Sequence, residues 1–554
     1  MAFRNAMRST TFTPETGANL TTTSNGATSF KSTKQPALDF FFKVLRSTPA
    51  QTTRDMFRNV FADNNEHALK LAFHLRDCRG GKGERESFRT CIKWLAENSL
   101  ELCLVNIKNI PKYGRWDDLF ALIGTPAETV ALGYYARALI NDVKKLNPDP
   151  NTGNLESQPI SLAAKWAPTE NSSLDRRYEA AFKLARLLWN LSGKPMITSL
   201  TKNDLPPNNL KSLMTFYRKS FISLLRKNLK LVETKMSQRL WDAIEYAQVP
   251  SLCMFKHRKA FMKHSEERFQ KYLTEVRHGT AKINASQVFP HQLVHHYMAG
   301  GSTDDTIDLQ WEALVKQVSQ SGSGGLGRSL AVVDVSGSMG ALLTGSSYSC
   351  MDVSIALGLI LAEVSPGPFR NTIITFSENP EFHEISGDTL NERIQNLRHA
   401  NWSMTTNYHK VFEMILKQCA THNVPPKEMP ERIFVFSDMQ FNASLPVNSG
   451  CNRGSMSEHQ KMVQKFRDAG YQPPEIVFWN LNGATVDFPE TCDGVNYTDA
   501  GVAMVSGFSP ALLQLFVDKG SLDPMDVMLS AIKNPRYDSV STDTTISDDT
   551  VYEF

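Results

Sequence analysis

Three oxygen-bearing side chains recur at alternate positions in the C-terminal half of the chain. Asp334, Ser336 and Ser338 form a D-x-S-x-S pattern directly after the apolar run at 330–333. One carboxylate and two hydroxyls are hard oxygen donors, which suit magnesium, manganese or calcium rather than zinc. Gly337 lets the backbone turn tightly enough for the alternate side chains to converge. The pattern predicts a divalent-cation site; the alternative is an ordinary turn in which a serine caps the next helix.

Two later residues are placed to join this site. Asp438 follows another apolar run, at 433–436, and Thr406 precedes a predicted helix. In an open parallel sheet, the loops beyond the carboxyl ends of the strands form the binding crevice, so both side chains are expected there. No H-E-x-x-H, G-x-S-x-G or P-loop motif accompanies them. The pattern therefore favours ligand binding over catalysis, with the metal capturing a carboxylate or phosphate oxygen of a partner.

The elements that must position these residues alternate between strand and helix. Short β-branched runs predict strands at 330–334, 372–376, 433–436, 476–480 and 502–505. Helical spacing predicts helices between them at 351–364, 390–397, 408–419, 457–469 and 510–517. Such alternation predicts a mostly parallel, Rossmann-type α/β sheet that is covered on both faces.

The five oxygen-bearing residues resemble the metal-ion-dependent adhesion site of von Willebrand factor A domains. That site has D-x-S-x-S, then a threonine in a later loop, then an aspartate after the following strand. The resemblance implies magnesium, with manganese or calcium as alternatives. Direct ligands would be Ser336, Ser338 and Thr406, whereas Asp334 and Asp438 would act mainly through water. The sequence departs from the family at 403–404, where many relatives have glycines, so Thr405 is the alternative to Thr406.

The preceding part of the chain has a helical pattern of apolar residues instead of alternating strands and helices. Helical spacing of apolar residues runs from Pro36 to about Gly300 and predicts a helical-repeat array. Within it, helices are expected at 178–191, 210–227, 236–246 and 258–276. The predicted division is a flexible arm at 1–35, a helical domain at 36–300, a linker with a short helix at 301–328, the α/β domain at 329–533 and a flexible acidic tail at 534–554.

Two motifs in the helical part are distinctive: R-G-G-K-G-E-R at 79–85 and Y-G-R-W-D-D at 113–118. Their glycines and aspartates are typical of helix ends, which favours a structural role over ligand contact. They resemble the TROVE module of the Ro autoantigen. The whole chain, from about residue 25 to 535, looks like a TROVE-like family of plants, fungi and large DNA viruses that joins this module to an A domain. The resemblance implies HEAT-like repeats that bind RNA.

The charge of the chain is divided unequally. Residues 1–320 contain 45 Lys and Arg against 30 Asp and Glu, a net charge of +15; residues 321–554 contain 15 against 27, a net charge of −12. A basic half favours a polyanion such as RNA, although the two halves could instead attract each other. The candidate phosphate contacts are Arg218, Lys219, Arg226, Lys227, Lys230, Lys256, Arg258 and Lys259. For each of them, a solvated helix face is the alternative.

These observations predict a non-enzymatic RNA-binding protein of the ribonucleoprotein type with a metal-binding A domain. The alternative is a metal-dependent protein interaction scaffold that captures an acidic ligand, or a structural component of a particle. The eight scattered cysteines, with no C-x-x-C pair, favour a reducing compartment, hence the cytoplasm, with a virion as the alternative for a viral protein. The longest apolar run, at 353–364, is too short to span a membrane.

Overall fold

The protein forms two compact units, and each combines three stretches of sequence. An α/β unit contains Met1–Pro49, Phe289–Asp304 and Leu314–Ala531, and a helical unit contains Ala50–Val288, Asp305–Ala313 and Ile532–Phe554. The structure, a computed structural model, describes residues 19–146, 159–320, 326–376, 380–400, 407–442, 458–484, 487–489, 501–517 and 522–544. The prediction of a helical N-terminal part followed by an α/β part is confirmed.

The α/β unit is built on a six-stranded sheet with a separate two-stranded hairpin. The strands are β1 (Leu20–Thr22), β2 (Thr28–Phe30), β3 (Ser329–Val333), β4 (Thr372–Thr375), β5 (Phe382–Glu384), β6 (Arg432–Ser437), β7 (Glu475–Asn480) and β8 (Val502–Ser506). The large sheet has the order β5-β4-β3-β6-β7-β8, and β1 pairs with β2. All neighbours in the large sheet are parallel except β4 and β5. The sheet is therefore mixed, and the five predicted strands are all present.

Burial explains which strands the sequence revealed. Every residue of β3, β6 and β8 is buried, and since successive side chains point to opposite faces, both faces of the sheet are covered there. Their continuous apolar runs were for that reason easy to recognise. The one strand of the large sheet that the prediction lacks, β5, is a three-residue antiparallel edge whose first and last residues are exposed, so it has no such run.

The helices of the α/β unit include the five that were predicted, the last of them as a 3-10 helix, and one at Pro524–Ile532 that was not predicted. Their bounds are Pro36–Lys43, Pro290–Met298, Cys350–Val364, Leu390–Leu397, Tyr408–Thr421, Glu458–Asp468 and Pro524–Ile532, with a 3-10 helix at Pro510–Phe516. Cys350–Val364 packs so closely on β3 that a Cβ added to Gly358 would lie 2.3 Å from Val333 Cγ2. This glycine lets the helix approach the strand that directly precedes Asp334.

The N-terminal segment belongs to the α/β unit, which differs from the predicted boundaries. Residues 19–30 form the β1–β2 hairpin instead of part of an arm. Helix Pro36–Lys43 contributes fully buried Phe41 and Phe42, whose carbonyl oxygens accept hydrogen bonds from Ser506 Oγ (3.1 Å) and Asn480 Nδ2 (3.3 Å). Helix Pro290–Met298 likewise falls in this unit. Apolar helical spacing shows that a segment is helical, but it does not show which core the helix joins.

The helical unit consists of short helices joined by tight turns. Their bounds are Ala50–Asp63, Asn65–Arg76, Glu86–Asn98, Leu100–Val105, Asn109–Tyr113, Glu128–Leu146, Ala163–Trp166, Ser173–Tyr178, Ala180–Leu191, Pro207–Phe216, Ser223–Asn228, Val232–Ser237, Ser251–His264 and Glu266–Arg277. A π-helix at Tyr217–Ile222 connects two of them. Asp305–Gln320 is a helix of 16 residues that contributes its first part, to Ala313, to this unit.

Two of the helices predicted in this unit differ from the structure. The predicted helix at 258–276 is interrupted at Ser265, where the helix Ser251–His264 ends and the next begins. The predicted helix at 236–246 is wrong, because Val232–Ser237 is followed by 3-10 turns at Trp241–Ala243 and Tyr246–Gln248. In both places the apolar residues belong to one packed cluster, so their spacing in the sequence resembled that of a continuous helix.

The R-G-G-K-G-E-R motif wraps around the end of helix Asn65–Arg76. Lys82 N donates to His74 O (3.1 Å), and a Cβ on Gly81 would lie 2.0 Å from the same oxygen. Only glycine permits this approach. The motif therefore has a structural role, as its glycines indicated.

The segment that was predicted to be a flexible tail is packed on the helical unit over its described part. Arg536 forms a bidentate ion pair with Asp77, which is fully buried. Tyr537 is buried too, and its hydroxyl donates to Asp77 Oδ2 (3.1 Å). Asn106 Nδ2 donates to Ser541 O (2.8 Å). Residues 533–543 thus complete this unit. No helix in the described part of the chain is long and apolar enough to span a membrane.

Candidate functional site

The sheet brings Asp334 and Asp438 together at the carboxyl ends of adjacent strands. β3 and β6 are parallel neighbours with Val333 opposite Phe436, and Asp334 N donates to Phe436 O (3.1 Å). The exposed fraction of Asp334 is 0% and that of Asp438 is 2%. Two carboxylates from separate parts of the sequence therefore share one buried edge of the sheet, as expected from their positions after two predicted strands.

Hydroxyl and amide groups hold the Asp334 carboxylate in place. Ser336 N donates to Asp334 Oδ1 (2.9 Å), and Ser437 Oγ donates to Asp334 Oδ2 (2.5 Å). Ser354 Oγ accepts from Asp334 N (3.0 Å) and donates to Phe436 O (2.9 Å). Sequence reasoning missed Ser354 and Ser437. Ser354 could have been noticed as a polar residue inside an otherwise apolar helix.

The two predicted hydroxyls lie beside the carboxylates. Ser336 Oγ is 3.2 Å from Ser338 Oγ. Ser336 is buried, whereas Ser338 is exposed, and its side chain hydrogen-bonds to Asp438. The oxygen cluster thus has a closed end at Asp334 and an end that faces solvent at Ser338. The fifth predicted ligand, Thr406, lies outside the described residues.

The electrostatics of the carboxylate pair favour a cation. Burial, and then the neighbouring Asp438 carboxylate, raise the pKa of Asp334 to about 6. Burial also raises the pKa of Asp438, which the hydrogen bond from Ser338 partly opposes. A bound divalent cation would compensate both effects, because opposite charge favours the ionised carboxylate. Carboxylate and hydroxyl oxygens are hard donors, which suit magnesium or manganese.

The turn after Asp438 has an unusual backbone. Met439 has φ of +64°, in the left-handed region, although its side chain is buried. Met439 N donates to Ser437 Oγ (3.1 Å), and Gln440 N donates to Asp438 Oδ1 (3.2 Å). Such conformations cost roughly 1–3 kcal/mol and persist only where surrounding contacts impose them. The turn fixes the direction of the Asp438 carboxylate.

The eight predicted phosphate contacts all lie in the helical unit but have different environments. Arg226 is committed internally, since its Nε and Nη2 donate to the carbonyl oxygens of Ala164 and Ala167 (2.8 Å each). Arg258 is 9% exposed and bonds to Phe255 O. Arg218 is exposed, with Glu170 at 3.8 Å. The other exposed members are Lys219, Lys227, Lys230, Lys256 and Lys259.

One helix of this unit presents a row of exposed lysines. Lys256, Lys259 and Lys263 lie at positions i, i+3 and i+7 of helix Ser251–His264, and all three are exposed. Residues at this spacing share one helix face. We refer to the three as the lysine stripe. Lys263 was missed, although its helical spacing from Lys256 and Lys259 could have revealed it.

Comparison with known proteins places the chain among relatives of similar length. A protein of Acanthamoeba polyphaga mimivirus, described as uncharacterized, is 29% identical over 547 residues, which cover 93% of this chain and 88% of the relative. Among solved structures, the Ro (RSR) protein of Deinococcus radiodurans is similar with a TM-score of 0.41 and 13% identity. That alignment covers 88% of this chain and 99% of the bacterial one.

Two family models match the chain. Domain of unknown function DUF7788 matches residues 328–548. Domain of unknown function DUF2828 matches residues 23–134 and 127–323, which together are more than half of the 554 residues. The second model includes strand β2 and the helical unit's largest segment, whereas the first includes the carboxylate pair. The chain therefore belongs to the DUF2828 family.

Proposed function

We propose that the α/β unit is an A-type domain that binds one divalent cation, most favourably Mg²⁺, at Asp334, Ser336, Ser338 and Asp438, with Thr406 as the fifth ligand. The observation that carries the proposal is the buried Asp334–Asp438 pair with two hydroxyl oxygens beside it. In water-excluding surroundings such a pair is costly unless a cation compensates it. Bound Mg²⁺ would supply a Lewis-acidic position for an anionic oxygen of a ligand.

The role that we propose for this site is binding, not catalysis. Ser338, at the solvent-facing end, is the side chain next to which an incoming carboxylate or phosphate oxygen would lie. Ser336 and Ser338 would contribute uncharged oxygens, so only Asp334 and Asp438 would offset the charge of the cation. The side chains of Ser354 and Ser437 and the backbone N–H of Ser336 have ordinary hydrogen-bonding roles that orient Asp334.

Manganese binding to the intact chain tests the cation site directly. The affinity for Mn²⁺ is measured by calorimetry and by competition with Mg²⁺, for the wild type, for Ser336→Ala combined with Ser338→Ala, and for Ser319→Ala, a control at an exposed position of helix Asp305–Gln320. We expect one site in the wild type and the control, and its loss in the double variant. At one hundred times Kd, bound metal would stabilise the unit by about 2.7 kcal/mol. A wild type that binds no Mn²⁺ refutes the proposal.

We further propose that the helical unit binds RNA through its phosphate backbone. The supporting observations are the +15 net charge of residues 1–320 and the exposed lysine stripe. The sequence resemblance to TROVE modules with HEAT-like repeats favours the same ligand class. Arg226 and Arg258 are engaged by the protein itself, so the exposed lysines are the better candidates among the predicted residues. Contacts of this kind read shape and charge more than base identity.

Charge reversal of the lysine stripe tests the RNA proposal. The variant changes Lys256, Lys259 and Lys263 to Glu. A matched control makes the same change at exposed lysines of the α/β unit: Lys316, Lys417 and Lys427. Binding of a labelled hairpin RNA is measured across a salt series. Three lost phosphate contacts should reduce the slope of log K against log salt by roughly two to three, and the control should leave it unchanged. If both variants bind the RNA equally well, the lysine stripe is not an RNA-binding surface.

A metal-dependent protein scaffold is the second candidate. The solvent-facing position of Ser338 beside a buried carboxylate pair favours it, because an acidic side chain of a partner could complete the coordination there. The two candidates predict different sensitivities. Partner capture that is lost with a chelator and unaffected by nuclease supports the scaffold, whereas nuclease-sensitive, strongly salt-dependent capture supports RNA binding.

A further inference from the structure

The N-terminal hairpin contacts the segment that follows Asp438. The tip of the hairpin, residues 23–27, carries the turn between β1 and β2. Thr23 Oγ1 donates to Phe441 O (2.7 Å), and Gly26 forms a β-bridge with Asn442. Both partners belong to the α/β unit. The hairpin is therefore hydrogen-bonded to the segment 440–442, which begins two residues after Asp438.

Gln440 is the residue through which the hairpin reaches the site. Its Oε1 accepts from Ser24 N (2.8 Å) and Ser24 Oγ (2.6 Å), and its carbonyl oxygen accepts from Asn25 Nδ2 (2.6 Å). Its side chain also hydrogen-bonds to Asp487. With 7% exposure and these partners, Gln440 has one orientation, and its backbone N–H points at Asp438 Oδ1 (3.2 Å).

We propose that the N-terminal hairpin is a positioning element of the cation site, acting through Gln440 on the Asp438 carboxylate. The inference rests on the proposed cation-binding function. Ser24 and Asn25 do not touch the site themselves; they hold the side chain and the carbonyl oxygen of Gln440, whose N–H donates to Asp438. Since Met439 adopts a strained left-handed conformation, the turn between Asp438 and Gln440 needs such external contacts to persist. The cation affinity therefore depends on residues more than 400 positions away in sequence.

The size of the effect follows from the kind of contact that is lost. Groups that orient a metal ligand typically contribute 10–100-fold to metal affinity. Ser24 and Asn25 are exposed, so their truncation to alanine removes hydrogen bonds without opening a cavity in the core. We expect Ser24→Ala combined with Asn25→Ala to weaken Mn²⁺ binding about tenfold, and Asn25→Ala alone about threefold, the value of one hydrogen bond.

The test compares Mn²⁺ affinity with stability in the full-length chain. Kd for Mn²⁺ and Tm in EDTA are measured for the wild type, the double variant, Asn25→Ala and Thr22→Ala. Thr22 is an exposed position of the same hairpin and serves as the control. A positioning role raises Kd in the double variant by about tenfold and leaves Thr22→Ala at the wild-type value.

The outcomes separate the inference from the function on which it rests. A hairpin with only a structural role would lower Tm in EDTA and leave Kd of the folded protein unchanged, which overturns the inference while cation binding stands. A wild type without Mn²⁺ binding overturns both. If the double variant does not fold, the single variant Asn25→Ala tests the positioning role, because it removes only one hydrogen bond of an exposed side chain. A wild-type Kd for Mn²⁺ in that variant contradicts the positioning role.

Discussion

Replacing Asp334 by asparagine should stabilise the metal-free protein, which is the opposite of what most substitutions at a buried acid do. Burial and the Asp438 carboxylate raise the pKa of Asp334 from 3.8 to about 6. At pH 7.5 the folded state therefore holds a charge that destabilises it by about 3 kcal/mol relative to the unfolded chain. The asparagine side chain would keep the acceptor for Ser336 N and could donate to Ser437 Oγ, so the hydrogen bonds survive.

The pH dependence follows from the same shift. A raised folded-state pKa means that the folded protein binds the proton more tightly than the unfolded chain, so the penalty is complete above pH 6 and disappears as pH falls toward 3.8. The stability difference between Asp334→Asn and the wild type should thus be largest at pH 7.5 and narrow at pH 5. Mg²⁺ should reverse the order at pH 7.5, because only the wild type retains the full ligand set.

Hydrogen exchange of the β3 and β6 amides, followed by mass spectrometry in EDTA, reports the stability of this unit separately from the helical one. Asp118→Asn is the matched control. Asp118 is equally buried but accepts from Arg76 Nε (2.8 Å) and pairs with Arg89 (2.9 Å), so neutralising it should destabilise the helical unit by about 3 kcal/mol. If Asp334→Asn exchanges as fast as the wild type in EDTA at pH 7.5, or the difference does not narrow at pH 5, the electrostatic reasoning is refuted.

Two further substitutions test the packing around the sites. Gly358→Ala should destabilise the α/β unit by about 1–3 kcal/mol, since its Cβ would lie 2.3 Å from Val333 Cγ2; calorimetry would measure this, and an unchanged Tm would show that the helix can shift freely. Arg536→Ala should destabilise the helical unit by about 2 kcal/mol, because the buried Asp77 carboxylate loses its ion-pair partner. The loss is at the low end of the range for buried pairs because the arginine is partly exposed. Faster exchange confined to the α/β amides would contradict that assignment.

The sequence was sufficient to predict the sheet that carries the candidate site. β3, β6, β7 and β8 are buried on both faces, so their apolar runs are continuous and bounded by turns. Once β3 and β6 are adjacent and parallel, Asp334 and Asp438 must lie at the same edge. The pairing was thus predictable from local patterns and one general rule of sheet topology.

The contacts that orient the site were not predictable in the same way. The hairpin at 20–30 is rich in threonine and serine, and its strands have three residues each. The Asn25-Gly26 pair between them is a local hairpin signal, and Gly26 has φ of +87°. That the hairpin contacts Gln440 depends on tertiary packing between residues more than 400 apart, which no local pattern records.

The basic residues show a related limit. The sequence can show that Arg226 and Arg258 are charged and lie on helices, but not that nearby carbonyl oxygens occupy their guanidinium groups. Arginine is well suited to such bonds because its planar group carries five donors. For lysines at regular helical spacing the inference is safer, as the exposed stripe at 256, 259 and 263 illustrates.

The division of each unit into three stretches has a consequence for synthesis on the ribosome. The α/β unit combines residues 19–49 with strands that end at Ser506, so this early segment must wait while more than 400 following residues are translated. Residues 533–543 complete the helical unit and emerge later still. Domains generally fold as they leave the ribosome, from the N-terminus onward. That order cannot apply to the α/β unit. The nascent chain would expose Phe41 and Phe42 until the strands that cover them have been synthesised. We therefore expect chaperones to bind residues 19–49 during translation.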